Sequence, residues 1–291
     1  MKFTHLAAMC VAAFGVCLWN GASKANETTA PCGTRSTSAA TYTHVVVILM
    51  ENKTYSEVIG SSAAPYENSL ARQCGLATGY YAVAHPSLPN YIALTAGTIA
   101  GIADDKGPTS HQLTNTSIFE QVGATHWRSY EESMPSRCDL YSSGAYAVKH
   151  NPAAYFTNIR TACAQNDVAL PSSPSFSAKY TFVTPNLCHD THDCSVTTGD
   201  YWLKWFVPKV LASPEYQNGN LILFLTWDES DSSSSNHIPT IVVAPTVPAG
   251  VRVSTTFNHY SLLKTTESIL GVPCLVNACN DHSMRSAFNL Y

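Results

Sequence analysis

In the stretch His85-Pro86-Ser87-Leu88-Pro89-Asn90-Tyr91, one serine stands on a turn that opens a helix. Pro89 suits a first helical turn, where a missing N–H costs nothing, and the free amides of that turn face the serine oxygen and any bound anion. Such a serine is a nucleophile if its surroundings favour the alkoxide and an ordinary helix cap if they do not. Two acidic motifs point to the first. Glu51-Asn52 ends the apolar run THVVVILM, and Asp228-Glu229 ends LILFLTW. A carboxylate beside an amide offers oxygen ligands to a hard cation, and paired carboxylates repel unless a cation or protons intervene. The loop from Thr184 to Cys194 gathers His189, Asp190, His192 and Asp193, the rigid grouping an active-site loop requires. His237 leads into the run TIVVAP, and Lys149-His150 offers a pair of groups to a phosphate. Asn258-His259 reads as a cap for the helix after it.

These residues need a frame. Short apolar runs at 43–52, 78–84, 179–184, 221–227 and 240–245 predict strands, being β-branched or aromatic and bounded by turn formers. Between them, periodic segments at 65–74, 89–97, 117–124, 202–212 and 261–270 predict helices. Continuous apolar strands alternating with helices predict one α/β domain with a mostly parallel central sheet flanked by helices. In such sheets the ligand site lies beyond the carboxyl ends of the strands, where the two acidic motifs sit.

Residues 1–25 have a basic start, an apolar run and small residues before Asn26, which predicts a secretory signal peptide cut after Ala25. A polar N-terminal segment at 26–41 is expected to be flexible, and so is the serine-rich patch at 230–235. Of ten cysteines, Cys10 and Cys17 leave with the leader, and the remaining eight predict disulfides in an oxidising compartment. Cys188 with Cys194 and Cys274 with Cys279 are near enough to close small loops, but spacing alone does not assign the pairs. Losing Lys2 and Lys24 takes the net charge from −4 to about −6, which excludes a nucleic-acid partner. The leader is too short for a span, and no basic run marks a tight contact with anionic lipid, so no stable membrane anchor is expected.

Together, MEN at 50–52, AHPSLPNYIALTAG at 84–97, WRSYEESMP at 127–135, YAVKHNP at 146–152, TPNLCHDTHDC at 184–194, TWDES at 226–230, NHIPTIVVAP at 236–245 and NHYSLLKT at 258–265 resemble the phosphoesterase family of the alkaline phosphatase superfamily, in particular its short secreted acid phosphatases. The resemblance covers residues 42–291 almost throughout. It implies an alkaline phosphatase-like fold, Ser87 as nucleophile, and one divalent metal ion (Ca, Mg, Mn or Zn) on Glu51, Asn52, Asp228 and Glu229. His192 and His237 then bind phosphate or protonate the leaving group, and Asn90, Lys149, His150 and Asp190 are expected to bind substrate phosphate. Asn186 stands where the wider superfamily has an aspartate, which argues for one cation rather than two.

The implied activity is hydrolysis of phosphate monoesters through a phosphoserine, with phosphorylated small molecules or lipid head groups as substrates. Dependence on a cationic histidine, whose ordinary pKa is near 6.5, favours mildly acidic operation. A serine hydrolase of the G-x-S-x-G type is excluded, since that elbow is absent. A sulfatase is disfavoured because Tyr91 occupies the arginine position of the sulfatase motif. A phospholipase C-like phosphodiesterase and a non-catalytic phosphate-binding protein are the remaining alternatives.

Overall fold

The computed structural model describes Met1 and residues 30–36, 42–231 and 235–291. The leader expected over 1–25 and the centre of the serine-rich patch lie outside the described residues. Within the segment 26–41, residues 30–36 are fastened to the body by the Cys32–Cys74 disulfide and by the Thr34 and Arg35 amides, which donate to the Pro245 carbonyl.

Ten strands are described: β1 His44–Met50, β2 Gly75–Ala77, β3 Tyr80–Tyr81, β4 Trp127–Glu131, β5 Asp167–Ala169, β6 Tyr180–Thr184, β7 Leu221–Trp227, β8 Thr240–Val243, β9 Arg252–Val253 and β10 Phe257–Asn258. Eight form one sheet in the order β5-β4-β6-β1-β7-β8-β2-β9, and β10 pairs with β3 apart from it. The sheet is parallel except that β8 runs against both β7 and β2. The expected mostly parallel α/β architecture is therefore present. β1 and β7 lie at its centre with every residue but His44 buried, which is why they read as continuous apolar runs rather than alternating ones.

The helices are α1 Tyr55–Val58, α2 Pro65–Gln73, α3 Ser87–Ala96, α4 Ile118–Gln121, α5 Arg160–Asn166, α6 Val196–Leu211, α7 Pro214–Gln217 and α8 His259–Leu270. α2 packs on α6 and α3 on α8. α3 is buried along its whole length, consistent with its small and apolar sequence, and ends on Gly97 at φ +70°, where an added Cβ would lie 2.2 Å from the Leu275 carbonyl.

The run expected as a strand over 78–84 contributes only β3, outside the main sheet. At Gly79 the chain passes so close to the Ser254 carbonyl that a Cβ would lie 2.9 Å from it. α6 begins six residues earlier than its apolar pattern indicates, because the polar first turn is capped by Ser195, whose Oγ accepts from the Thr198 amide. Among the described residues the disulfides are Cys32–Cys74, Cys138–Cys163, Cys188–Cys194 and Cys274–Cys279.

Candidate active site

β1 and β7 pair in full register, Met50 opposite Trp227, so Glu51 and Asp228 leave the sheet side by side. The Asp228 amide donates to the Met50 carbonyl at 2.9 Å, and the Asn52 amide donates to Asp228 Oδ1 at 3.2 Å. α3 then brings Ser87 over this edge. Its hydroxyl lies 3.1 Å from Glu51 Oε2 and 3.2 Å from Glu229 Oε1. One hydroxyl proton can serve one of these at a time, so Ser87 sits between two acceptors.

Ser87, Glu51 and Asp228 are buried, and Glu229 nearly so. Burial first, then the Asp228 and Asp190 charges, hold the Glu51 carboxyl well above the usual carboxylate range. Asp228 is raised well above it too, by burial and then by Glu229. Burial, with Asp105 adding to it, pushes Glu229 up to about 7, while Ser87 and Lys149 pull the other way. Tyr91 donates to Glu51 Oε1 at 2.5 Å, and His85 Nδ1 meets Glu229 Oε2.

The far wall comes from the segment after β4 and the disulfide loop after β6. His150 is stacked on Tyr91, with Nε2 3.1 Å from Glu51 Oε1 and Nδ1 3.2 Å from Asp190 Oδ2. Neither His150 Nε2 nor Asp190 Oδ2 is aligned for a hydrogen bond at these distances. Burial, followed by the charges of Lys149 and His192, drives the His150 pKa well below the ordinary imidazole value, leaving a neutral ring with a nitrogen to offer. Burial pushes Asp190 up to about 7. Thr191 holds φ +81°, a conformation strained for a β-branched residue, and donates from Oγ1 to the Glu51 carbonyl at 2.6 Å.

The Lys149 ammonium lies 3.0 Å from Asp105 Oδ2 and 3.3 Å from His192 Nε2. Burial works against its charge, but Glu51, Asp105 and Asp228 outweigh burial and hold its pKa above the ordinary value. His192 Nδ1 meets Asp193 Oδ1 at 2.7 Å.

The donor set fits a divalent cation. Glu51, His150 and His192 have ligand atoms within 4.8 Å of one another, and three buried atoms here, Asp228 Oδ2, Asp190 Oδ2 and His150 Nε2, lack a hydrogen-bond partner. Buried polar atoms ordinarily find one.

Two expected site residues are engaged by other parts of the protein. The His237 ring is stacked between Tyr55 and Tyr81, and its Nε2 meets the Thr78 carbonyl at 3.0 Å, so it braces the loop before β8. The Asn90 amide is engaged in holding the serine loop: its Oδ1 accepts from the Val83 and Ala84 amides and its Nδ2 donates to the Ala84 and Pro86 carbonyls. The first helical amide expected to face an anion, Leu88 N, donates to Asp105 Oδ1 at 3.0 Å, so the anion at that helix terminus is the protein's own. Asp105 and Tyr91 join the site without having been expected there. Asp105 lies in an irregular glycine-containing loop, and its only sequence signal is the acidic pair Asp104-Asp105 before Lys106. Asn258 caps α8 as expected, its Oδ1 accepting from the Tyr260 and Ser261 amides, while His259 turns inward. Its Nε2 meets the Asp228 carbonyl at 2.6 Å and its Nδ1 the Tyr80 hydroxyl at 3.2 Å, and burial holds its pKa down to about 4.

A helix-opening serine among carboxylates, at the carboxyl edge of a mostly parallel sheet, defines a phosphoester-cleaving α/β protein of the alkaline phosphatase-like fold. The Phosphoesterase family model matches residues 61–273, and the chain belongs to the phosphoesterase family, which makes it a phosphoric ester hydrolase. It is 33% identical over 245 residues to a phosphatidylinositol-3-phosphatase of Mycobacterium tuberculosis, covering 83% of this chain and 81% of that one. It is 28% identical to a probable acid phosphatase of Kluyveromyces lactis, covering 81% of this chain and 60% of that longer one. A solved protein of the alkaline phosphatase superfamily from Vibrio parahaemolyticus shares the fold, with a TM-score of 0.53, 14% identity, and coverage of 82% of this chain and 69% of that one.

Proposed function

We propose that the chain is a secreted, metal-dependent acid phosphatase that hydrolyses phosphate monoesters through a phosphoserine on Ser87, with phosphoinositide head groups among its substrates. The observation that carries this reading is the position of the Ser87 hydroxyl, within 3.2 Å of both Glu51 and Glu229 and at the start of α3. Four disulfides support an oxidising compartment, and no helix among the described residues is long and apolar enough to cross a membrane. The head-group assignment is supported by the named activity of the mycobacterial relative.

Glu51, Asn52, Asp228 and Glu229 would hold one divalent cation beside Ser87, and the buried, neutral His150 would extend that set. Such a cation supplies charge neutralisation for the phosphoryl oxygens and favours the serine alkoxide. Glu51 or Glu229 takes the Ser87 proton as the oxygen attacks phosphorus. The Lys149 ammonium neutralises a phosphoryl oxygen. His192, paired with Asp193, gives a proton to the departing alcohol. Water then attacks the phosphoserine, and the serine recovers its proton.

The test is hydrolysis of an aryl phosphate across pH, before and after chelation, with metals added back. Ser87→Ala is expected to lower turnover by at least about 10³-fold, in line with loss of a nucleophile. Near-normal turnover in Ser87→Ala, or activity indifferent to chelation, would sink the mechanism.

A further inference from the structure

The Asp105 carboxylate holds two donors at once. Oδ1 accepts from the Leu88 amide at 3.0 Å, and Oδ2 accepts from the Lys149 ammonium at 3.0 Å. Leu88 follows the nucleophile in the first turn of α3, and Lys149 is the cation assigned above to a phosphoryl oxygen. An amide at a helix start and an ammonium are the partners a phosphate seeks, and one carboxylate bridges them as two oxygens of a phosphate would. Phosphate and Asp105 therefore contest the same ammonium.

Asp105 is placed to yield in that contest. It lies in the irregular loop between α3 and α4, its side chain is 30% exposed, and an ion pair with that much access to water is weakly held. Its neighbour differs. Asp104 is tied within its own loop, Oδ1 accepting from the Lys106 amide at 3.0 Å and meeting His111 Nε2 at 2.5 Å, with Oδ2 3.0 Å from the Lys106 ammonium. Lys149 also stays within reach of the site, 3.3 Å from His192 Nε2. A site that binds the phosphoryl group of a substrate binds product phosphate too, so an anion that weakens both limits inhibition by product.

We propose that Asp105 is an internal stand-in for phosphate, which competes with it for Lys149 and the Leu88 amide and so sets how weakly the site holds inorganic phosphate. This rests on the phosphatase reading for the place where phosphate binds. As phosphate enters, the ammonium passes from Asp105 Oδ2 to a phosphate oxygen; as phosphate leaves, the carboxylate takes it back. A carboxylate that only positioned Lys149 would act with the opposite sign, since its loss would weaken phosphate binding.

The test is the inhibition constant of inorganic phosphate against aryl-phosphate turnover, paired with calorimetric titration of phosphate, on the full-length chain without chelator. Asp105→Asn keeps an acceptor for the Leu88 amide and removes the charge. It is expected to tighten phosphate at least about tenfold, the effect of one unit charge a few ångströms away in a partly exposed site. Asp105→Ser, a second variant with a short acceptor for the same amide, is expected to act in the same direction. Asp104→Asn removes the same charge one residue away and is expected to leave the constant within about twofold. Phosphate held equally or more weakly by both Asp105 variants overturns the proposal, and so does equal tightening by Asp104→Asn. Absence of both turnover and phosphate binding in the unaltered protein would defeat the phosphatase reading along with it, whereas normal turnover with an unchanged constant in Asp105→Asn defeats this proposal alone.

Discussion

At the scale of single residues, the site is crowded with acid. Glu51, Asp105, Asp190, Asp228 and Glu229 surround Ser87, and among the described groups facing them Lys149 is the side chain that carries a charge at every working pH. Lys149→Met is therefore expected to raise KM for an aryl phosphate by about tenfold or more while the fold is kept, the signature of lost charge on the bound substrate. Asn90→Ala should behave differently. Its four hydrogen bonds hold backbone, so the loss is expected as about 2 kcal/mol of stability read by denaturant melts, with turnover falling because the serine loop moves. An unchanged melt with a selectively raised KM would return Asn90 to the phosphate. The acids Glu51, Asp228 and Glu229 were legible because each follows a run of buried strand, a position with one structural meaning. Asp105 was not, since no periodic element points to it. His237 misled because a histidine before a strand looks exposed until Tyr55 and Tyr81 close on either side.

At the scale of elements, the catalytic loop depends on how closely α6 approaches it. A Cβ on Gly199 would lie 2.4 Å from Thr191 Cγ2, 3.0 Å from Met50 Cε and 3.2 Å from the His189 carbonyl. Gly199→Val is expected to push that loop off Glu51 and cut turnover by about 10²-fold, the penalty of a misplacement near 1 Å, with Gly199→Ala intermediate. Equal turnover in all three proteins would show that the contact is compliant. β1, β7, β8 and the body of α8 were legible from burial and periodicity. β4 and β5 were not, because Arg128, Ser129 and Asp167 interrupt any apolar pattern, and their carboxyl ends meet neighbours distant in sequence. The start of α6 was hidden by polar residues whose signal is a cap rather than a stripe.

Across the whole molecule, buried acid sets how the fold responds to its medium. Glu67 is buried on α2 with neither carboxyl oxygen ordinarily paired, and burial, then the neighbouring Asp200 charge, raises its pKa well above 4.5. The folded state therefore keeps this proton more tightly than the unfolded chain does, and stability falls as pH rises above the unfolded value. Glu67→Gln, which mimics the protonated form, is expected to raise Tm at pH 7 and to leave it unchanged near or below about pH 4. A gain equal at both pH values would refute the titration. Cation binding adds to stability in the same way that any native-state ligand does: at about 100 times Kd it contributes about 2.7 kcal/mol, so chelation should lower Tm by about 5 °C. A Tm indifferent to chelator and to added metal would argue against a bound cation.

The in-register pairing of β1 with β7 has a further meaning for how such a chain can change over generations. Side chains alternate across a sheet with period two, so deleting or inserting one residue within Val45–Met50 or Leu221–Trp227 would turn Glu51 or Asp228 to the opposite face without altering any group of the site. Apolar identities inside these strands can drift among residues of similar volume, whereas strand length cannot. A library of single-residue indels is therefore expected to lose activity throughout both strands, in a pattern that a substitution scan of the same positions would not reveal.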